Sequence, residues 1–341
     1  MKLTRITTDT LDGPEQRIVA VQPENNRVVD LARAYRLVQE RRGATTAAAA
    51  VLARTLFPAS MSAAIAAGPA FLDAAEQALA AADDASTPMG EVTWAAAVDP
   101  PVIRDCLTYP LHMKNFAEKI GAGAPPRRAF VTPPYFKGST GVVYGHDAEI
   151  AYPALTEHLD YELEIGIVVG SEGSDLTPEQ AEEHIFGYTI FNDFSARDLQ
   201  FVEASMGMGP QKTKDFAYGI GPWIVTRDEF PPVEKLTGTV TVNGEQWSTC
   251  VGEGAIFSPA ELIAWISLGD VVQPGDLVGT GTLGGGAAIE IGRRLNPGDV
   301  LELQLDGVGV LRNTIGPRAS ATWRPTEKPY PFDDSAAEAG H

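Results

Sequence analysis

Residues 159–170 read LDYELEIGIVVG and residues 191–200 read FNDFSARDLQ; the first stretch decides how the chain is understood. From Tyr161 to Ile167 the sequence alternates strictly. Successive side chains of a strand point to opposite sides, so Glu162 and Glu164 share one face while Leu163 and Ile165 share the other. Two carboxylates then stand within about 7 Å of each other on an otherwise apolar strand, and they repel unless something neutralises them. A divalent cation does so, and Asp193, which closes a second apolar strand-like run (HIFGYTIFN, residues 184–192), supplies a third oxygen. Carboxylates without nearby cysteine suit a hard ion, Mg²⁺, Mn²⁺ or Ca²⁺, better than zinc. The same alternation also describes a half-exposed edge strand whose glutamates face water, so taken alone the stretch leaves both readings open.

The rest of the chain narrows the choice. A chain of 341 residues is long enough for a large core and two units. With 26 Lys and Arg against 45 Asp and Glu, its formal net charge of −19 disfavours nonspecific contact with nucleic acid or anionic lipid. The two cysteines, Cys106 and Cys250, form neither a disulfide framework nor a metal-type spacing, which points to a reducing compartment. No run approaches the roughly 18 apolar residues of a membrane span, and MKLTRITTDT lacks an apolar signal region. The expectation is a cytoplasmic enzyme that binds neither membrane nor nucleic acid.

Taken in order, residues 1–30 carry short strand patterns, MKLTRI, QRIVAVQ and RVVDL, separated by turn chemistry. From Leu31 to about Asp84 the chain is Ala-rich with helical spacing, broken at Pro58 and Gly68. Residues 1–95 are therefore read as a small α+β N-terminal domain that packs on or closes a site. After the breaker-rich DASTPMGEV and VDPPV, the chain turns β-rich, with strand candidates at GVVYG, ELEIGIVVG, GPWIVTR, GTVTVNGEQW, DLVGTGTL and DVLELQLDGVGVLRNTI. Two helices stand out there, TPEQAEEHI behind a threonine cap and SPAELIAWIS behind a serine cap. Residues 326–341 are polar and Pro-rich, the pattern of a fraying tail.

The ExE strand, the phrase NDFSARDLQ and a downstream Lys before an aromatic (KTKDFAYGIGPWIV) occur here in the order found in the fumarylacetoacetate hydrolase family, and the chain resembles that family over roughly residues 100–320. Upstream, RDCLTYPLH places Asp105 seven residues before His112, the spacing of the longer, fumarylacetoacetase-like members. Near the end, DLVGTGTLGGG resembles the glycine-rich segment of the family. The resemblance implies an α+β chain whose catalytic domain, residues 100–325, is a mixed β-roll, and a homodimer. It implies Mg²⁺ (or Ca²⁺ or Mn²⁺) held by Asp105, Glu162, Glu164 and Asp193 and chelating a small keto-acid substrate. His112 would activate water, and Lys214, Arg197, Gln200, Tyr135 and Thr282 would orient and polarise the substrate.

That chemistry is coherent: a cation clamped on an enolisable diketone and a nearby lysine stabilise the departing enolate, while a histidine of near-neutral pKa takes a proton from water. The expected reaction is hydrolysis of a C–C bond in a 1,3-diketo or acylpyruvate-type acid; decarboxylation, isomerisation or dehydration of a 2-oxo acid on the same centre is the alternative, and a non-catalytic binding protein a third. The arginine that fumarylacetoacetase carries nine residues after its histidine is Gly121 here. Glu290, in GGGAAIEIG, is the candidate partner of His112, and an exposed strand glutamate is the competing reading. Asp160 is set aside as a ligand, as are His146, His158, His184 and His341. Arg197 and Asp198 are also compatible with a simple ion pair across a turn. GTGTLGGG lacks the GK[ST] ending of a phosphate loop.

Overall fold

The computed structural model describes residues 1–121, 123–329 and 331. Its central element is the strand Glu162–Val169, every residue of which is buried. The side chains divide as alternation requires. Leu163, Ile165, Ile167 and Val169 join one hydrophobic cluster with Val240, Leu303 and Leu305, whereas Val168 joins a second with Phe191, Leu277 and Phe71. Glu162 and Glu164 share the face of Val168, so this strand has no solvent-facing side and the edge-strand reading falls away.

The strand lies inside a twelve-stranded sheet whose main path runs Ser86–Pro88, Arg27–Asp30, Gly13–Gln22, Lys2–Thr10, Tyr218–Thr226, Ile185–Asp193, Glu162–Val169, Leu277–Ala287, Ile103–Cys106, Tyr135–Gly138. A five-stranded sheet covers one face, ordered Glu245–Val251, Thr237–Val242, Val300–Leu305, Gly309–Arg318, Glu149–Tyr152. Asn243 and Gly244 sit at φ 53° and 79°, the paired left-handed residues of a two-residue hairpin turn. The other face is covered by the Ala-rich helices Leu31–Arg41, Thr46–Leu56 and Pro69–Ala78, capped by Asp30 and Thr45 and opened by Pro69. Their alanines Ala34, Ala53, Ala74 and Ala78 are buried, and small side chains let the helices approach the sheet closely.

Hydrogen bonding does not pause at the composition change near residue 95. Lys2 pairs with Val225 and Leu3 with Ile224, so the N-terminal strands extend the same sheet that carries the acidic strand. Two helices that sequence reasoning passed over appear in the β-rich half, Pro110–Ile120 and Arg197–Ser205. The first has proline in its opening turn and Gly121 at φ 70° as its end, the usual start and stop pair. The tail lies outside the described residues from 332 onward, His341 included; residues 326–329 carry neither helix nor strand. Among the described residues no helix is long and apolar enough to cross a membrane, and both cysteines are free and buried.

Candidate active site

Asp105, Glu162, Glu164 and Asp193 each place one carboxylate oxygen within 4.8 Å of the others, and all four residues are buried. The sheet explains the convergence. Asp193 ends the strand beside the Glu162 strand, where Leu163 pairs with Asn192. Asp105 comes from further away, because Leu277–Ala287 runs between its strand and that of Glu164. It reaches across because the intervening residue, paired with Asp105, is Gly279: a Cβ there would stand 2.3 Å from Asp105 Oδ1 and 2.7 Å from Glu164 Oε2. The two carboxylates meet through the space a side chain would fill.

Four carboxylates in an apolar interior need compensation. Lys214 Nζ donates to Glu162 Oε2 at 2.6 Å, to Asp193 Oδ2 at 2.5 Å and to Ser195 Oγ at 2.6 Å. Arg197 Nη2 donates to Glu162 Oε1 at 2.7 Å. Burial pushes Glu162 up, but Lys214 and Arg197 outweigh it and hold this carboxyl well below the usual range. Lys214 shows the reverse balance, with burial lowering it and Asp193 and Glu162 raising it further. Asp105, Glu164 and Asp193 are pushed well up, each first by burial; Glu164 acts next on Asp105, while Lys214 only partly offsets the rise at Asp193. Glu164 is held by the amide of Gly281 at 2.9 Å and the hydroxyl of Thr282 at 3.2 Å. Asp105 Oδ1 and Asp193 Oδ1 are buried without a hydrogen-bond partner. The ammonium and the guanidinium do not balance the four carboxylates, the more so because Arg197 is shared with the buried Asp160. A hard divalent ion supplies both the missing charge and the missing partners of those orphaned oxygens.

His112 sits on the helix Pro110–Ile120, 5% exposed. Its Nδ1 lies 2.8 Å from Glu290 Oε1. Glu290 is buried in a single helical turn, Ala288–Ile291, not on an exposed strand. Asn115 donates to its Oε2 at 2.7 Å and the Gly285 amide at 2.8 Å, so the carboxylate is fixed from both sides. With Nδ1–H committed to Glu290, Nε2 is the basic nitrogen of this pair.

A cavity of about 1150 Å³ opens over the centre and is lined by Asp105, His112, Tyr135, Glu162, Glu164, Arg197, Gln200, Lys214 and Thr282. Asp193 and Glu290 stand behind this wall. Tyr135 is 37% exposed at the rim. Arg197 is committed to the protein: it donates to Asp160 at 2.6 Å, Gln200 at 2.8 Å and Glu162 at 2.7 Å, with Phe116 against its face at 5.5 Å. Its geometry is that of a residue that aims Glu162. Asp198 turns instead to the Thr156 hydroxyl and the Glu157 amide, so the turn ion pair does not form. Asp160 is also no ligand, because the Ala288 and Ile289 amides and Arg197 take its oxygens. Sequence reading missed Asn115, Ser195 and Gly279; the last lies in the run that supplied Thr282 as a candidate.

Residues 101–316 match the family model described as "Fumarylacetoacetate (FAA) hydrolase C-terminal". The oxaloacetate tautomerase YisK of Bacillus subtilis is 36% identical over 186 residues, 54% of this chain and 61% of the tautomerase, so the match leaves over a third of that relative uncovered. Fumarylacetoacetate hydrolase domain-containing protein 2 of Pongo abelii is 30% identical over 254 residues, 73% of this chain and 77% of its own. A fumarylacetoacetate hydrolase from Exiguobacterium antarcticum superposes with a TM-score of 0.70 at 26% identity, covering 93% of this chain and all of its own. Maleylpyruvate hydrolase from Sphingobium sp. SYK-6, solved with manganese and pyruvate, shares the fold at a TM-score of 0.68 and 20% identity, covering 94% of this chain and all of its own.

Proposed function

The chain belongs to the fumarylacetoacetate hydrolase family, and from that premise we propose that it is a divalent-metal-dependent hydrolase that cleaves a C–C bond in an acylpyruvate-type 1,3-diketo acid. The observation that carries the reading is the His112–Glu290 pair, 2.8 Å apart, whose histidine lines the same cavity as Asp105, Glu162 and Glu164. Mg²⁺ or Mn²⁺ held by Asp105, Glu162, Glu164 and Asp193 would chelate the 2-oxo acid head and lower the energy of its enolate. Glu290 keeps His112 in the tautomer whose Nε2 accepts a proton. His112 takes that proton from water, the resulting hydroxide adds to the acyl carbonyl, and the bond from that carbon to the adjacent CH₂ breaks. Its electron pair stays with the pyruvyl fragment as an enolate, which is then protonated. Lys214 supplies a fixed positive charge on that side, and Thr282 and Gln200 border the head. The products are a carboxylic acid and a 2-oxo acid, with one water consumed.

His112→Ala should reduce turnover about 10²–10⁴-fold while the 2-oxo head still binds. Ultraviolet loss of an acylpyruvate with Mg²⁺ or Mn²⁺ present, with mass spectrometry of the products in ¹⁸O water, checks this. Two acids with one labelled oxygen mean hydrolysis; near-parental turnover by His112→Ala removes the assigned base. The second reading, keto–enol interconversion on the same centre without attacking water, draws on the name of the 36%-identical Bacillus relative. Solvent-hydrogen exchange into an uncleaved substrate would favour it.

A further inference from the structure

The carboxylate cluster and His112 occupy only the inner end of the cavity. The helix that carries His112 continues outward, and four of its residues, Met113, Phe116, Ala117 and Ile120, line the space. Their spacing of i, i+3, i+4 and i+7 is one continuous face of a helix. Seven residues of helix give about 10 Å of apolar wall. Pro125 and Val131 from the following segment also line it. Among the described lining residues beyond the inner site, the single charged side chain is Arg128, and it is exposed at the mouth. A cavity of about 1150 Å³ exceeds the range usual for drug-sized ligands, about 300–1,000 Å³. A four- or five-carbon acid leaves most of it unfilled.

We propose that the substrate carries an apolar arm, aryl or branched alkyl, on its dioxo-acid head, and that this arm lies along the Met113–Ile120 face in place of the second carboxylate of a short diacid. This rests on the reading of the head site given above. The two are separable by calorimetry on the Mn²⁺-loaded enzyme with straight-chain 2-oxo acids, which lack the 4-oxo group and are not cleaved. Affinity should rise about three- to fourfold per added methylene until the two helical turns are covered. A 2-oxo acid of equal length ending in a second carboxylate should show none of this gain, since its charged end would stay in water at the mouth and not lie on the apolar face. Tight pyruvate binding with no gain along the series, or preference for the diacid, overturns the arm site alone. Failure of pyruvate and the whole series to bind overturns the head reading and this inference with it. Ala117→Asp and Val131→Asp should each flatten the series; Val131 is 77% exposed, so its variant folds even where a buried aspartate at 117 proves damaging. Retention of the full methylene slope by the Val131 variant also overturns the proposal.

Discussion

Gly279→Ala tests how the ion centre is built. The added methyl would lie 2.3 Å from Asp105 Oδ1, 2.7 Å from Glu164 Oε2 and 2.9 Å from Phe191 Cδ1. Real Cβ contacts do not fall below 3.0 Å, so Asp105 Oδ1 must retreat by at least 3.0 − 2.3 = 0.7 Å. Metal–ligand distances tolerate about 0.2 Å, and the displacement is more than three times that. The two closest atoms belong to side-chain ends that swing aside, so folding should lose only about 1–3 kcal/mol, the usual cost of overpacking. Ion affinity should fall about 10–100-fold, which is about 1.4–2.8 kcal/mol. Mn²⁺ titration followed by calorimetry or electron paramagnetic resonance measures the first quantity, and denaturant unfolding in EDTA the second. Gly90→Ala, with nothing within 4 Å of its Cβ, is the matched control. A folded Gly279→Ala protein that binds Mn²⁺ within about threefold of the parent would show that the carboxylates do not need this gap, and the account of the centre would fail.

Three further outcomes are expected. Asp105, Glu164 and Asp193 have raised carboxyl pKa values, so their contribution to ion-free stability is full below the unfolded value near 4 and is lost as pH climbs through the folded values. Glu162 is lowered and its contribution, present above about pH 4.5, does not change in that window. Melting in EDTA should therefore weaken from pH 5 to pH 8, whereas ion affinity should rise as protons are displaced; ion-free melting that strengthens with pH would contradict this. Arg197→Ala leaves Asp160 and Glu162 buried without their guanidinium, and unfolding in urea should show a loss of about 3–5 kcal/mol; a loss below about 1 kcal/mol would make Arg197 free for substrate after all. We also propose a homodimer, for which light scattering should exceed the 36.3 kDa of one chain about twofold at micromolar concentration; a monomer there would refute it.

What the sequence discloses follows the range of the forces involved. Alternation is local, so Glu162, Glu164 and Asp193 could be aligned from residue order alone. Asp105 and His112 needed the family resemblance, since the strand Ile103–Cys106 is four residues long and carries too little pattern to declare itself. The His112–Glu290 bond spans 178 positions, and no local rule chooses one glutamate at that distance over another. The helix Pro110–Ile120 has its start and stop residues in Pro110 and Gly121, but its mixed polarity hides it among strand signals. Arg197–Ser205 begins after Ala196, which offers no side-chain cap, so its start is silent. Arg197 serves Glu162 because the buried Asp160, 37 positions away, takes the other side of its guanidinium, a pairing that residue order does not mark.

The place of Leu277–Ala287, between the strands of Asp105 and Glu164, also sets an order of assembly. All four ligand residues have left the ribosome before this strand is made, and at about 5–20 residues per second the wait between Asp193 and Gly279 is roughly 4–17 s. The N-terminal hairpin can meanwhile dock on Tyr218–Thr226, yet the middle of the sheet stays split. Both strands flanking the gap present unpaired amides and carbonyls to any other extended chain until the glycine-rich strand slides between them. The carboxylate cluster therefore closes only once residues 277–287 are in place, while the strands Val300–Leu305 and Gly309–Arg318 of the second sheet are still to come, and until then the split sheet is where the nascent chain is most open to aggregation.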